Sequence, residues 1–201
     1  IFAEAVEFCR RYEILLCHDA PYTDVTFDGY QAPSVLQIPG AKEVAIEFHS
    51  LSKTYNMAGW RVGMAVGNQV AVKALATVKT QIDSGMARPI QDMAAAALTG
   101  DQSWLAERNA VYQERRDLVL AALRQMGFEA DTPKAGLYVW FRVPEGMTSQ
   151  EFHTLLLEKA HISLTPGHIY GKNGEGWIRL SLAVATERLR EALGRLEEYV
   201  V

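Results

Sequence analysis

Seven side chains able to do chemistry stand in or beside short apolar runs. Lys53 follows the run VAIEF, with Ser50 and Ser52 just before it. An amine held against a sheet loses water, which favours its neutral, nucleophilic form; a lysine on a solvated loop has no such property. Arg61 precedes a second apolar run and, with Ser50 and Ser52, offers an anion site, because the guanidinium fork matches phosphate and stays charged. The plainer alternative is a strand-edge arginine paired with a surface carboxylate. Asp19 closes the run ILLCHD, and Tyr22 follows on the next loop. A carboxylate at the C-terminal end of a parallel strand lies where open α/β sheets hold ligands, although aspartate also caps turns there. Arg179 sits inside WIRLSL, and an arginine in such a run needs a partner, either a protein carboxylate or a ligand carboxylate. Taken together, an acid, a phenol, an amine with two hydroxyls and two arginines form an inventory for a phosphorylated, carbonyl-bearing pyridine cofactor and a carboxylate substrate.

The elements that must position these groups follow from periodicity. FAEAVEFCRRYE has helical spacing, with Phe2, Val6 and Cys9 on one face. ILLC is a short strand ending at His18 and Asp19, and PYTDVTFDGYQAPS is a loop rich in turn formers. EVAIEFHS and RVGMAVGN are further strands, the glycines of the latter permitting close backbone approach. QVAVKALATVKTQI is helical, SGMARP breaks it, and IQDMAAAALTG makes another helix ending at Gly100. A long helix is expected from about Ser103 to Met126, apolar on one face and charged on the other. Beyond it GFEAD, GLYVWFRV, HISLTP and WIRLSL are strand-like, with SQEFHTLLLEKA and TERLREALGRLEEYV as amphipathic helices. The expected fold class is α/β: residues 1–104 as part of a mostly parallel sheet with flanking helices, and residues 105–201 as a smaller α+β domain with the long linking helix.

The 201 residues carry a formal charge of -4, with 49% hydrophobic and 22% charged residues, an ordinary globular balance. No polybasic block suggests nucleic acid, and no apolar run is long enough to span a bilayer. No signal-peptide pattern is visible, and the start at Ile1 is expected of a chain that continues upstream. Cys9 and Cys17 are expected to be buried thiols of a reducing compartment, which points to the cytoplasm. His153, His161 and His168 lack metal-ligand spacing, and Gly171, Gly174 and Gly176 match no phosphate-loop pattern, so turns are expected there. His18 is expected to be packed or to support the site from behind, and His49 to close its strand.

SLSKTYNMAGWRVG, HDAPY and GEGWIRLSL, in this order and spacing, resemble the class I/II, fold-type I aminotransferases that use pyridoxal phosphate. The resemblance covers essentially the whole chain and is closest to the branch of LL-diaminopimelate, alanine and aspartate-type enzymes. It implies that Lys53 forms a Schiff base with the cofactor aldehyde, that Asp19 pairs with the pyridinium nitrogen and that Tyr22 bonds the phenolate oxygen. Ser50 and Arg61, with Ser52 as an extra donor, would grip the phosphate, and Arg179 would bind the substrate α-carboxylate. It further implies amino-acid and 2-keto-acid substrates and a homodimer with SGMARPIQD near the interface; from the histidine spacing above, no metal is expected. Pro21 departs from the residues usual in this loop and removes an N–H without preventing the Asp19 and Tyr22 placement. By the same resemblance the chain is a C-terminal half, and the other half would supply further cofactor contacts. A β-lyase or decarboxylase on the same scaffold, or the cofactor-sensing domain of a regulator, would share these residues.

Overall fold

The computed structural model describes residues 1–200, which divide after Leu105 into two compact units. In the first unit, helix α1 (Phe2–Arg11) is followed by strand β1 (Leu16–Asp19). A short helix α2 (Ala41–Val44) leads into β2 (Ala45–Ser50), and α3 (Leu51–Thr54) begins where β2 stops. Strand β3 (Gly63–Gly67) and helices α4 (Gln69–Ile82) and α5 (Arg88–Thr99) complete it. Helix α6 (Trp104–Gln125) starts just before the boundary.

The sheet order is β1-β2-β3. β1 and β2 are parallel, with Asp19 level with Phe48; β3 returns antiparallel, with Ser50 level with Gly63. The connection between β2 and β3 holds only the single turn of α3 and a 3-10 turn, and the antiparallel direction is fixed by the pairing of β3 with β2. Gly63 and Gly67 let β3 come close, as their pattern in the sequence suggested: a Cβ on Gly63 would sit 2.9 Å from the His49 carbonyl oxygen, and one on Gly67 would overlap that of Ala45. Under the sheet, Val6, Val35, Ala41 and Ala45 form one apolar cluster that takes in Phe2 and Leu16; Leu51, Val62 and Ala94 form another with Met64 and Ile90. The loop after β1 is tied down by Val25 and Phe27, both fully buried.

Several local expectations shift. Ile14 and Leu15 are exposed and precede the strand, which starts at Leu16. Cys9 is buried but Cys17 is exposed, because alternation along β1 turns Cys17 and Asp19 away from the face on which Leu16 and His18 pack. The α4 helix buries none of its residues: Val70, Val78 and Ile82 are 75%, 56% and 77% exposed.

The second unit contains most of α6, then β4 (Tyr138–Arg142), α7 (Ser149–Leu155), the two-residue β5 (Thr165–Pro166), β6 (Trp177–Ser181) and α8 (Thr186–Val200). The sheet is antiparallel in the order β4-β6-β5. Only an isolated bridge, Ala130 to Phe141, marks the expected GFEAD strand. Val139, Phe141, Ile178 and Leu180 face the core, while Tyr138, Trp140 and Arg179 face the other way. Phe141 and Phe152 are fully buried and meet Phe128, with ring centroids 5.2–6.4 Å apart. The long helix is less cleanly two-faced than its pattern suggested, since Arg108 and Arg116 are buried beside Val119, Leu120 and Leu123. Arg116 is satisfied locally, by Asp117 at 2.7 Å and the Pro133 carbonyl at 3.1 Å.

Candidate active site

One end of the first unit's sheet collects six of the seven predicted residues. The parallel pair β1-β2 ends with Asp19 and Ser50, and the antiparallel β3 begins there. The ladder continues past both ends: Ala20 N–H donates to the Phe48 carbonyl at 2.8 Å, and Leu51 N–H to that of Val62 at 3.1 Å. Ser50 caps α3, its hydroxyl accepting from the Ser52 N–H at 3.2 Å. The strand therefore turns straight into a helical turn that carries Ser52 and Lys53. Lys53 is half-buried, and its Nζ lies 5.7 Å from the centroid of the Tyr22 ring. Thr54, buried on the same turn, donates to Asp24 at 3.0 Å and so fastens the Tyr22 loop to α3.

Asp19 is exposed, and its carboxylate has no hydrogen bond or ion pair among the described residues. Arg61 does not start the strand. It caps the preceding 3-10 turn in the left-handed conformation, φ 55° and ψ 48°, two residues before β3. Its Nη1 donates to the Ala58 carbonyl at 2.8 Å, and no carboxylate pairs with it among the described residues. The donor set fits pyridoxal 5'-phosphate: a carboxylate open to a ring N–H, a phenol, an amine for an aldehyde, and hydroxyl and guanidinium donors for a phosphate.

Beneath this end lies a group the sequence reading passed over. Glu47 is 1% exposed in the middle of β2. Its carboxylate meets His18 Nδ1 at 2.8 Å and His49 Nε2 at 2.6 Å, and accepts from the Ser34 hydroxyl at 2.8 Å and the Val35 N–H at 2.9 Å. Burial alone would raise its pKa; the bonds from His18, Ser34, His49 and Val35 outweigh burial and hold the carboxyl below the ordinary glutamate range. The signal was present in the sequence as one acid inside an apolar run with a histidine two residues on, since a buried charge demands partners. Glu47 thereby ties the residue before Asp19 to the residue before Ser50.

In the second unit, Arg179 lies mid-strand in β6, level with Trp140 on β4 and Thr165 on β5. Its Cζ sits 4.0 Å from the Tyr138 ring centroid and 4.6 Å from that of Tyr170. No acceptor or carboxylate engages its N–H groups among the described residues of this unit. Of the two partners open to it in the sequence, a protein carboxylate is not the one present. His168 lies 3.0 Å from the buried Ser149 hydroxyl, a role its isolated position in the sequence did not announce.

The family model for aminotransferase class I and II matches residues 2–196. LL-diaminopimelate aminotransferase 2 of Nostoc sp. is 53% identical over 98% of this chain and 50% of its own length. The structure of apo BacF from Bacillus subtilis superimposes with a TM-score of 0.94 at 36% identity, covering 100% of this chain and 51% of that one. An aminotransferase from Staphylococcus aureus gives 0.91 at 38%, over 98% and 52%. The chain thus spans about half the length of the relatives it matches. With its lysine, acid and phenol at one sheet end and a family match running almost from end to end, the chain belongs to the class I and II aminotransferases, of the fold-type I α/β class.

Proposed function

We propose that the protein of which this chain is part transfers an amino group between an amino acid and a 2-keto acid, using pyridoxal 5'-phosphate. The observation that carries this reading is the convergence of Asp19, Tyr22, Ser50 and Lys53 at one sheet end, with Lys53 Nζ 5.7 Å from the Tyr22 ring. When bound, the cofactor supplies an electron sink for the charge left by loss of the substrate α-proton. Lys53 would hold the cofactor at its aldehyde carbon, and its amine, when free, would carry the substrate α-proton as general base. Asp19 accepts the ring N–H and keeps that nitrogen protonated. Tyr22 donates to the phenolate oxygen. Ser50, Ser52 and Arg61 grip the phosphate, and Arg179 binds the substrate carboxylate.

In this reading the first unit belongs to the cofactor-binding domain, with the boundary near residue 104, and the second is the small domain. LL-diaminopimelate is the first donor to test and amino-acid biosynthesis the proposed setting, a choice supported by the names of relatives near 50% identity. A cytoplasmic homodimer is part of the proposal; the uncovered apolar side chains of α4 support a covering surface, and no described helix is long and apolar enough to cross a membrane.

Lys53→Ala in the full-length protein tests the assignment. The cofactor's visible absorbance and all turnover should vanish; a visible band that persists after the substitution would sink it. Turnover that requires a keto acid marks the transaminase. Ammonia and pyruvate released without one would mark a lyase instead.

A further inference from the structure

Arg179 has its guanidinium stacked against two tyrosine rings, and no acceptor engages its N–H groups among the described residues of this unit. Tyr138 lies on one neighbouring strand, and Tyr170 comes from the loop before β6, their ring centroids 4.0 and 4.6 Å from Cζ. Trp140 in turn meets Tyr170, with ring centroids 5.5 Å apart and planes at 70°. Aromatic contact holds the guanidinium plane and strips water from its faces, while the in-plane N–H groups keep the fork that a carboxylate takes in a bidentate pair. An arginine ordered before its ligand arrives loses less freedom on binding.

The Tyr170 loop is itself fastened. Glu175 accepts from the Ser149 N–H at 2.7 Å and the Gly176 N–H at 2.8 Å through one oxygen, and from the Ser149 hydroxyl at 3.1 Å through the other. The Ser149 hydroxyl also lies 3.0 Å from His168 Nδ1 and accepts from the His168 N–H at 3.4 Å. Ser149 is fully buried at the first turn of α7. Gly167 and Gly174 close the loop on itself, since a Cβ on either would overlap the carbonyl oxygen of the other. Tyr170 stands between these pinned ends.

We propose that Tyr138 and Tyr170 clamp Arg179 as a receptor for a substrate carboxylate, and that Glu175, Ser149 and His168 latch the loop that presents Tyr170. All five are positioning residues acting through Arg179. The inference rests on the reading above, in which Arg179 meets the substrate carboxylate.

The test uses the cofactor-loaded full-length protein and pimelate, a dicarboxylate without an amine, with affinity read by calorimetry alongside KM and kcat for the amino donor. Tyr170 is half exposed, so its replacement leaves the core intact. Tyr170→Leu should weaken pimelate binding roughly tenfold and raise KM by a similar factor, with kcat changed far less. Tyr170→Phe, which keeps the ring face, should recover most of the affinity. Glu175→Gln should also weaken binding, yet add nothing in the Tyr170→Leu background, because the latch acts through that ring. Wild-type affinity in Tyr170→Leu, or full additivity of the two substitutions, overturns the proposal. If Glu175→Gln fails to fold, the Tyr170 pair alone decides. Arg179→Lys separates the two readings: loss of pimelate there with retention in Tyr170→Leu defeats only the clamp, whereas retention in both defeats the carboxylate assignment as well.

Discussion

Replacing Glu47 by glutamine keeps the side chain's size and removes its charge. The wild-type carboxylate is 1% exposed and is met by four groups, the nearest being His49 Nε2 at 2.6 Å and His18 Nδ1 at 2.8 Å. A glutamine has one carbonyl oxygen, so its NH2 must take the place of one carboxylate oxygen, and the groups that met that oxygen must turn to accept or lose their bond. Bonds to charged groups contribute about 1.5–3 kcal/mol each, but the cost of burying the charge offsets part of their sum. Breaking a buried, fully bonded charge by removing one partner costs ~3–5 kcal/mol. At roughly 2–4 °C per kcal/mol for a chain of this size, the melting temperature should fall by about 6–20 °C at pH 7. The pH dependence has a definite sign. The folded-state pKa of Glu47 lies below the ordinary value of 4.5, so the unfolded chain binds the proton more readily. The carboxylate's contribution is therefore complete above pH 4.5 and is lost as pH falls through the folded value. Urea unfolding of both proteins from pH 8 down to the acid limit should show a constant gap that narrows only below about pH 4.5. A gap under about 0.5 kcal/mol at pH 7, or one that widens in acid, would refute the account of Glu47 as an ionised tie between the two strands.

Asp19→Ala should lower kcat by ~10²–10⁴, measured by steady-state turnover, while the protein still folds, because the side chain is exposed. Arg179→Ala should raise KM for carboxylate substrates while the cofactor is retained; equal damage to substrate and cofactor binding would contradict its role. Phe152→Ala removes a fully buried ring that meets Phe128 and Phe141 and should cost ~3–5 kcal/mol in denaturant unfolding. Gly67→Ala, at φ 136° and against the Ala45 carbonyl, should destabilise by about 1–3 kcal/mol, and a neutral result would mean that β3 can shift away from β2.

Much of the first unit was legible because its signals are local. The spacing of Phe2, Val6 and Cys9 marked the buried face of α1, and both Val6 and Cys9 are buried. The apolar run before Lys53 announced a strand delivering a lysine to the sheet's end, and β2 turns into α3 at Ser50. The motifs SLSKTYNMAGWRVG, HDAPY and GEGWIRLSL were enough to suggest the family by resemblance, because reactive side chains must keep their order and spacing to meet one cofactor. What stayed hidden depends on partners distant in sequence. The antiparallel direction of β3, and with it the placement of Arg61 in a left-handed turn, is set by pairing with β2. Cys17 is exposed because one residue of register decides which face of β1 it takes. Glu47 looked like any acid until His18, 29 residues away, and Ser34, 13 away, were brought to it. Arg179 was visibly anomalous in the sequence, but only the fold brought tyrosine rings from two separate segments against its guanidinium. Residue type and spacing determined which chemistry this chain carries. The pairing of strands and the burial of charge, which are properties of contacts and not of any one segment, decided how those groups are held.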